Sequence, residues 1–272
     1  MTALEQWQQQ IRACRQARKE PDAQLWQRAA GWYDSWVRHN DYTTLVLNRL
    51  QPIIDGRSRI LEIGPGSGGF TLPLADAAQE IVAVEPSADM RAVLGGKLSA
   101  AGKNNVRLIP KHIEDSLAEI QGPFDLALAS FSLYNVEPID AVVQGLTRLA
   151  RRVVALMGSG EQREWYRHLH RRFRGREPVP PPQVQYFYPL LLEMGIYPDV
   201  QVFWTSYNYV YPSEEALIDW WLHHLHLSES DRADLAADLL PLTERRDGQI
   251  GIYGRHRAAL VWIERGRNAG ND

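Results

Sequence analysis

The sequence predicts an α/β protein built around a mostly parallel sheet whose strands are joined by crossover helices. Between residues 57 and 157, short apolar runs of β-type residues alternate with helical stretches, which is the pattern of repeated strand–helix–strand units. With 272 residues, of which 44% are hydrophobic, the chain can bury one sizeable core and an added subdomain. We expect the core in residues 51–158, after a helical extension over residues 1–50.

The N-terminal extension is predicted to be helical because apolar and aromatic residues recur in it at spacings of three and four. These residues are Trp26, Ala29, Ala30, Tyr33 and Val37. Pro21 and Asp22 lie just upstream and form a helix start signal.

Five apolar runs supply the predicted parallel strands of the core. They are Arg59–Ile63, Ile81–Val84, Val106–Ile109, Phe124–Ala129 and Val153–Met157. Helical stretches separate them, as the crossovers of a parallel sheet require.

After the core, the sequence predicts a helical cap over residues 159–197 and a C-terminal part over residues 198–272 that completes the sheet and carries inserted helices. The cap begins with an Arg- and His-rich helix over 160–177, closed by prolines within 178–182. The elements predicted after it are a helix at Tyr188–Met194, β structure at Asp199–Tyr211, capped helices at Ser213–Leu227 and Ser230–Leu240, and a broken strand at Gln249–Glu264.

Composition excludes several classes of protein. The net charge of -3 gives no basic field for nucleic acid or anionic membranes, so neither is an expected partner. The single cysteine, Cys14, excludes a disulfide framework and a multi-cysteine zinc site, and no metal site is expected. Neither a signal peptide nor a membrane span is indicated, so we expect a cytoplasmic protein. The sequence indicates no particular oligomeric state.

The segment Arg59–Ala75 carries the chemistry: a strand runs into a glycine loop and then into a helix. Its glycines let the backbone approach a ligand closely. The first, second and fourth, Gly64, Gly66 and Gly69, fit a dinucleotide fingerprint, whereas the first three, with Gly68 as third, fit GxGxG.

Two carboxylates narrow the choice of ligand. Glu85 ends the next strand, where it can accept both hydroxyls of a ribose in any adenosine-type cofactor. Glu62 precedes the first glycine by two residues, where it would repel a pyrophosphate but can favour a cationic ligand.

These residues resemble the class I S-adenosylmethionine-dependent methyltransferases. The segment from Glu62 to Gly68 satisfies their first motif, E/D-x-G-x-G-x-G, and the resemblance continues through Glu85, Lys111–Asp115 and Phe124–Ser130. It implies a Rossmann-like, seven-stranded, mostly parallel sheet with an antiparallel last strand, and S-adenosylmethionine as cofactor with S-adenosylhomocysteine as product. The cofactor-binding residues it implies are Tyr33, Glu62, Gly64, Pro65, Gly66, Gly68, Glu85, Pro86, Met90, His112, Ile113, Glu114 and Ser130.

The adenine side departs from the family pattern. His112 stands where many relatives carry an acid, so the backbone of Ile113, or Asp115 after a shift of register, remains as the adenine contact. An ordinary solvated loop with outward-pointing acids is the competing interpretation.

The acceptor side is less specific. The aromatic residues within 186–211 predict either an apolar pocket wall or core packing. The segment from Gln24 to Trp36 is similar to the W-x-x-x-A-x-x-Y-D helix that folds over the cofactor in many small-molecule methyltransferases. The resemblance implies that Tyr33 and Trp32 reach the methionine end of the cofactor, although a plain docking helix has the same pattern. His223, His224 and His226 are weak candidates for a general base.

An arginine cluster follows the core. The residues are Arg163, Arg167, Arg171, Arg172, Arg174 and Arg176, with His168 and His170 among them. They predict either a binding site for a carboxylate, a phosphate or an RNA backbone, or a solvated helix face.

The first hypothesis for the function is a methyltransferase acting on a small, partly apolar acceptor by direct in-line displacement, with arginines facing an acidic group of that acceptor. An RNA or protein methyltransferase and a non-catalytic cofactor-binding protein are the alternatives.

Overall fold

A computed structural model of the chain describes residues 1–18 and 32–266. Its strands are β1 (Arg59–Ile63), β2 (Glu80–Val84), β3 (Val106–Ile109), β4 (Phe124–Ser130), β5 (Ala150–Gly158), β6 (Asp199–Ser206), β7 (Tyr209–Tyr211), β8 (Glu244–Arg246), β9 (Gln249–Ile252) and β10 (Arg255–Glu264). Its helices are α1 (Ala3–Arg18), α2 (32–38), α3 (Tyr42–Leu50), α4 (Thr71–Ala77), α5 (Ala88–Ala100), α6 (Ile113–Ser116), α7 (Ile139–Leu149), α8 (Glu164–Arg174), α9 (Val184–Glu193), α10 (Glu214–His224) and α11 (Arg232–Leu239).

The centre of the fold is a seven-stranded sheet with the strand order β3-β2-β1-β4-β5-β10-β6. Strands β1 to β5 run parallel to one another. Strand β10 enters between β5 and β6 and is antiparallel to both, with Leu260 opposite Leu156 on β5 and Gln201 on β6. The predicted α/β fold, a seven-stranded mostly parallel sheet with an antiparallel last strand, is confirmed.

Helices cover both faces of this sheet. On one face, α1 packs against α9, where the rings of Trp7 and Phe187 lie 5.7 Å apart, and the indole nitrogen of Trp7 donates to the carbonyl of Val136 at 2.8 Å. On the other face, buried residues of α3 and α4, including Val46 and Leu74, pack on the strands. A sheet buried on both faces explains why its inner strands are almost continuously apolar.

A second, three-stranded sheet, of order β7-β9-β8, packs with α8, α10 and α11 around the fully buried Trp221. The β structure predicted at Asp199–Tyr211 is present, and it divides between the two sheets as β6 and β7. Tyr207 and Asn208 connect β6 to β7. The amide of Tyr207 donates to the carbonyl of Gly254 at 2.8 Å, and the side chain of Asn208 donates to the carbonyl of His39 at 2.8 Å.

Other boundaries also differ from the predictions. Helix α8 ends before the prolines, at Gly175, whose φ of 64° stops the helix in the left-handed region. Helix α9 begins at Val184, several residues earlier than predicted. The start signal at Pro21 and Asp22 lies outside the described residues, as do Trp26, Ala29 and Ala30. Over 1–18 and 32–266, every helix is too short or too polar to cross a membrane.

Candidate functional site

The glycine loop lies where the carboxyl ends of β1 and β4 meet. Gly64 has a φ of 65°, and a Cβ there would fall 2.5 Å from the Cβ of Ser132. The hydroxyl of Ser132 donates to the carbonyl of Ile63 at 2.6 Å. The loop is therefore fixed against the residues that follow β4, at the edge of the sheet where open α/β folds bind their ligands.

Gly66 lies where the glycine loop faces the ring of Tyr33. Its φ is 57°, and a Cβ at this position would lie 3.1 Å from Cε1 of Tyr33. Its amide donates to Oε2 of Glu85 at 3.0 Å. A side chain at residue 66 would fill the space between the loop and the Tyr33 ring.

Glu85 follows β2 and is 6% exposed. Its other oxygen, Oε1, accepts from the amide of Ser87 at 2.9 Å. Burial raises the pKa of this carboxyl, while the two backbone donors, Arg91 and His112 act against that rise. A buried carboxylate with free lone pairs beside a glycine loop suits the two hydroxyls of a ribose.

Glu62 lies in the middle of the sheet and is 2% exposed. Its Oε2 has no hydrogen-bond partner among the described residues. Burial, which Thr71 opposes and the neighbouring Glu85 reinforces, raises the pKa of this carboxyl to about 7. A buried carboxyl oxygen without a partner, close to the glycine loop, is suited to receive a positively charged ligand group.

Helix α2 closes over the loop. Asp34 forms an ion pair with Lys97 of α5, and Lys97 also donates to the carbonyl of Ser67 in the glycine loop at 2.9 Å. Burial raises the pKa of the Tyr33 phenol to about 12, and the carboxylates of the site add to the rise. Lys97 was missed by the sequence analysis, because α5 has no recognisable motif at that position.

The remaining predicted cofactor residues are distributed around this edge. Ile113 is buried at the start of α6, His112 caps that helix on the exposed side, and Glu114 is half-buried. Pro86 is exposed and Met90 is fully buried in the first turn of α5. The other members of the set lie in the glycine loop or at the end of β4: Pro65, Gly68 and Ser130.

A family model described as a methyltransferase domain matches residues 60–154. The YcgJ protein of Bacillus subtilis superposes with a TM-score of 0.56 at 18% identity, over 82% of this chain and 97% of that one. A putative methyltransferase of Bacillus halodurans gives 0.55 at 12% identity, over 80% and 98%. Residues 60–154 therefore match a methyltransferase domain, and the fold is the one found in the two Bacillus proteins.

Curated relatives of the methyltransferase domain match over short stretches. An uncharacterized methyltransferase of Staphylococcus carnosus is 37% identical over 93 residues, which are 34% of this chain and 40% of that protein. A ribosomal RNA small subunit methyltransferase A of Desulforapulum autotrophicum is 40% identical over 60 residues, 22% of this chain and 21% of that protein. The chain thus spans less than half the length of these relatives.

A cavity of about 810 Å³ lies beside the methyltransferase domain. At Tyr33 and Phe131 it reaches the edge of the sheet that carries the glycine loop, which we call the cofactor edge. Its walls are formed by residues of α1, α2, α8, α10 and the proline segment 178–182. Met157 and Gly158, at the end of β5, also line it. Among the residues described, no cluster of His, Cys, Asp or Glu side chains could hold a metal ion.

Aromatic rings form one wall of the cavity. Trp32 stacks on Trp220 with ring centroids 4.9 Å apart, and Trp220 stacks on His224 at 4.5 Å. Tyr209 lies 5.9 Å from Trp32. Trp220 was not singled out from the sequence, where the pair of tryptophans on α10 has the pattern of an ordinary packed helix.

Most of the aromatic residues predicted at 186–211 lie elsewhere. Tyr207 and Tyr209 line the cavity. Phe187 is in the core against Trp7, and three further rings are exposed: Tyr188, Tyr197 and Trp204. The pocket-wall interpretation is therefore wrong for these rings: Phe187 and Tyr188 lie on α9, Tyr197 lies between α9 and β6, and Trp204 lies on β6, the edge strand of the large sheet.

All three predicted histidine candidates, His223, His224 and His226, line the cavity. Nε2 of His224 lies 3.4 Å from the hydroxyl of Tyr166. His226 has a φ of 50°, just after α10 ends. Whether any of them accepts a proton during turnover remains a prediction.

The arginine cluster divides between two faces of α8. Arg167 and Arg171 pair on the outside with Glu164 and Glu177, so the expectation that these two face an acceptor is wrong. Arg172 is also paired on the outside, with Asp234 and Asp238 of α11. The members that line the cavity are Arg163, His170, Arg174 and Arg176.

Proposed function

We propose that the protein transfers a methyl group from S-adenosylmethionine to a small molecule held in the cavity. The observation that carries the proposal is the position of the cavity, which begins at Tyr33 and Phe131 beside the cofactor edge and extends away from it under α8 and α10. Its volume of about 810 Å³ is in the range of small-molecule sites.

The residues of the edge fit the cofactor. Glu85 would bind the ribose hydroxyls, the backbone around Gly66 would lie against the methionyl part, and Ile113 would contact the adenine. Oε2 of Glu62, which has no hydrogen-bond partner among the described residues, would receive a cationic group of the ligand, directly or through water. When bound, the cofactor supplies an electrophilic methyl group on a sulfonium ion.

The role of the chain is then to position the acceptor and to exclude water. Tyr33 and Trp36 have ring centroids 5.8 Å apart, and Trp36 packs edge-on against Tyr207 at 5.7 Å. These rings form a continuous apolar surface from the glycine loop into the cavity. A proton released by the acceptor has nearby imidazoles, of which His224 is the one stacked on the aromatic wall.

An RNA acceptor is the second candidate, favoured by the similarity to ribosomal RNA small subunit methyltransferases. That similarity extends over only 21% of the relative. On the outside of α8, acids neutralise Arg167, Arg171 and Arg172, which weakens the case for a phosphate-binding surface.

The test uses S-adenosylmethionine with a labelled methyl group and the purified protein. Total RNA, a protein extract and a small-molecule extract are offered separately, with Glu85→Ala as the control that removes the ribose contact. We expect label in the small-molecule extract only, and none with the variant. Label in RNA or protein would overturn the assignment of the acceptor, and cofactor binding without transfer to any of the three would favour a non-catalytic protein.

A further inference from the structure

The charges that line the cavity are unevenly compensated. The two carboxylates of the lining, Glu161 and Asp219, are paired with arginines that are not part of it. Nε of Arg257 lies 3.6 Å from Glu161, and Arg232 reaches Asp219 at 2.5 Å. Both acids of the lining therefore already form ion pairs with arginines that do not line the cavity.

Two arginines of the lining, Arg174 and Arg176, contact backbone carbonyls instead of carboxylates. Arg174 donates to the carbonyl of Leu225 at 2.8 Å, and Arg176 donates to the carbonyl of Ala17 at 2.6 Å. Both contacts are to neutral backbone groups. Neither guanidinium forms an ion pair with a carboxylate within residues 1–18 and 32–266.

His170 lies beside these arginines. Both of its ring nitrogens are buried without a hydrogen-bond partner among the described residues, and its ring is 4.6 Å from that of Tyr166. Burial, together with the charges of Arg174 and Arg176, lowers the pKa of His170 to about 4, and Glu177 opposes this change. The imidazole is thus neutral near pH 7 and has an unused N–H donor.

Buried polar groups without partners, such as the ring nitrogens of His170, are costly to a folded protein unless a ligand satisfies them. Arg174 is half-buried, and Arg176 stands at the exposed rim, so an anion can reach both without crossing the core. The aromatic wall formed by Trp32, Trp220 and Tyr209 lies on the same cavity. One end is therefore cationic and the adjoining wall is apolar.

We propose that the acceptor is an acid whose apolar body lies along the aromatic wall and whose oxyanion, a carboxylate or a phosphate, is bound by His170, Arg174 and Arg176. This inference rests on the proposed small-molecule function. It places the anionic group at the end of the cavity bordered by the backbone of Ala17, while the methyl-accepting part lies at the Tyr33 end. The oxyanion accepts hydrogen bonds from the two guanidinium groups and from the imidazole N–H.

Binding of defined probes tests the subsite without turnover. The probes are 4-hydroxycinnamate, indole-3-acetate and decanoate, each beside its primary amide, and 1-naphthyl phosphate beside 1-naphthol. Dissociation constants are measured by ligand-observed NMR with S-adenosylhomocysteine present. We expect at least one acid to bind at least about tenfold more tightly than its neutral counterpart, as charge-assisted hydrogen bonds imply, and the carboxylate and phosphate arms show which oxyanion is preferred.

Variants show which residues cause the tighter binding of acids. Arg174→Met and Arg176→Met, which retain side-chain length, should bring the acid to the affinity of its neutral counterpart. Arg172→Ala removes an arginine from the outer face of the same helix and should change nothing. The exposed position of Arg176 keeps the test valid if the Arg174 variant does not fold.

Three results would overturn the proposal: no acid binds, neutral counterparts bind as tightly, or Arg172→Ala weakens the acids as much as the other two variants. Calorimetry of S-adenosylhomocysteine binding to the same samples distinguishes failure of the oxyanion subsite from failure of the proposed methyltransferase function. Cofactor binding without any preference for acids removes the oxyanion subsite alone. Absence of cofactor binding removes the proposed function, and the probes can still be measured on the cofactor-free protein.

Discussion

Glu62→Gln tests the electrostatics of the cofactor edge through the stability of the ligand-free protein. The carboxyl is 2% exposed and its pKa is raised from 4.5 to about 7, first by burial and then by Glu85. A rise of this size corresponds to about 3 kcal/mol, because each pKa unit is worth about 1.4 kcal/mol.

The sign follows from proton binding in the two states. Between pH 4.5 and about 7, the unfolded chain loses the Glu62 proton while the folded protein retains it. The free energy of unfolding therefore falls as pH rises through this window, and the loss is complete above it. The glutamine amide does not titrate, so Glu62→Gln should match the wild type at the acidic end and exceed its stability by up to about 3 kcal/mol above neutral pH.

Urea unfolding across this pH range, without ligand, measures the difference. Glu119→Gln is the matched control, since Glu119 is exposed and pairs with Lys111 on the surface. Part of the pH dependence should survive in the Glu62 variant, because burial also raises the pKa of Glu85. An unchanged pH dependence in Glu62→Gln would refute the reasoning, since the buried carboxyl would then not be protonated in the folded protein.

Two further substitutions test the covering of the glycine loop. Gly66→Val should abolish binding of S-adenosylhomocysteine in calorimetry, because even a Cβ at residue 66 lies 3.1 Å from Tyr33 and the branched side chain would occupy the ligand's space; normal affinity would place the site elsewhere. Lys97→Met should weaken cofactor binding by about threefold to thirtyfold, as expected from loss of the ion pair with Asp34 that holds α2 on the loop. Lys103→Met, which breaks a surface pair, should leave that affinity unchanged, and equal effects of the two lysine variants would contradict the docking role.

The parallel core was predictable because its signals are local. The bounds of β1 and β3 match the apolar runs Arg59–Ile63 and Val106–Ile109, and the glycine loop follows β1 as the motif requires. Gly175, by contrast, ends α8 through a left-handed backbone conformation, although the prolines after it gave the stronger stop signal.

The cavity was less predictable because its walls come from segments distant in sequence. Periodicity marks α8 as a helix but does not show that α11 covers the face of Arg172 while Arg174 faces the cavity. Likewise, Trp220 reaches Trp32 only through the docking of α10 against α2. Such contacts depend on tertiary packing, which a single sequence does not contain.

Calorimetric titration with S-adenosylhomocysteine, S-adenosylmethionine and NAD, on the wild type and on Glu85→Ala, tests the central claim most directly. We expect the wild type to bind the first two and to bind NAD weakly or not at all. Glu85→Ala should lose about tenfold to a hundredfold in affinity, because ribose hydroxyls left unpaired in a buried site cost about 1–3 kcal/mol. Tight binding of NAD with no response to the sulfur-containing ligands, or full affinity in Glu85→Ala, would contradict the account.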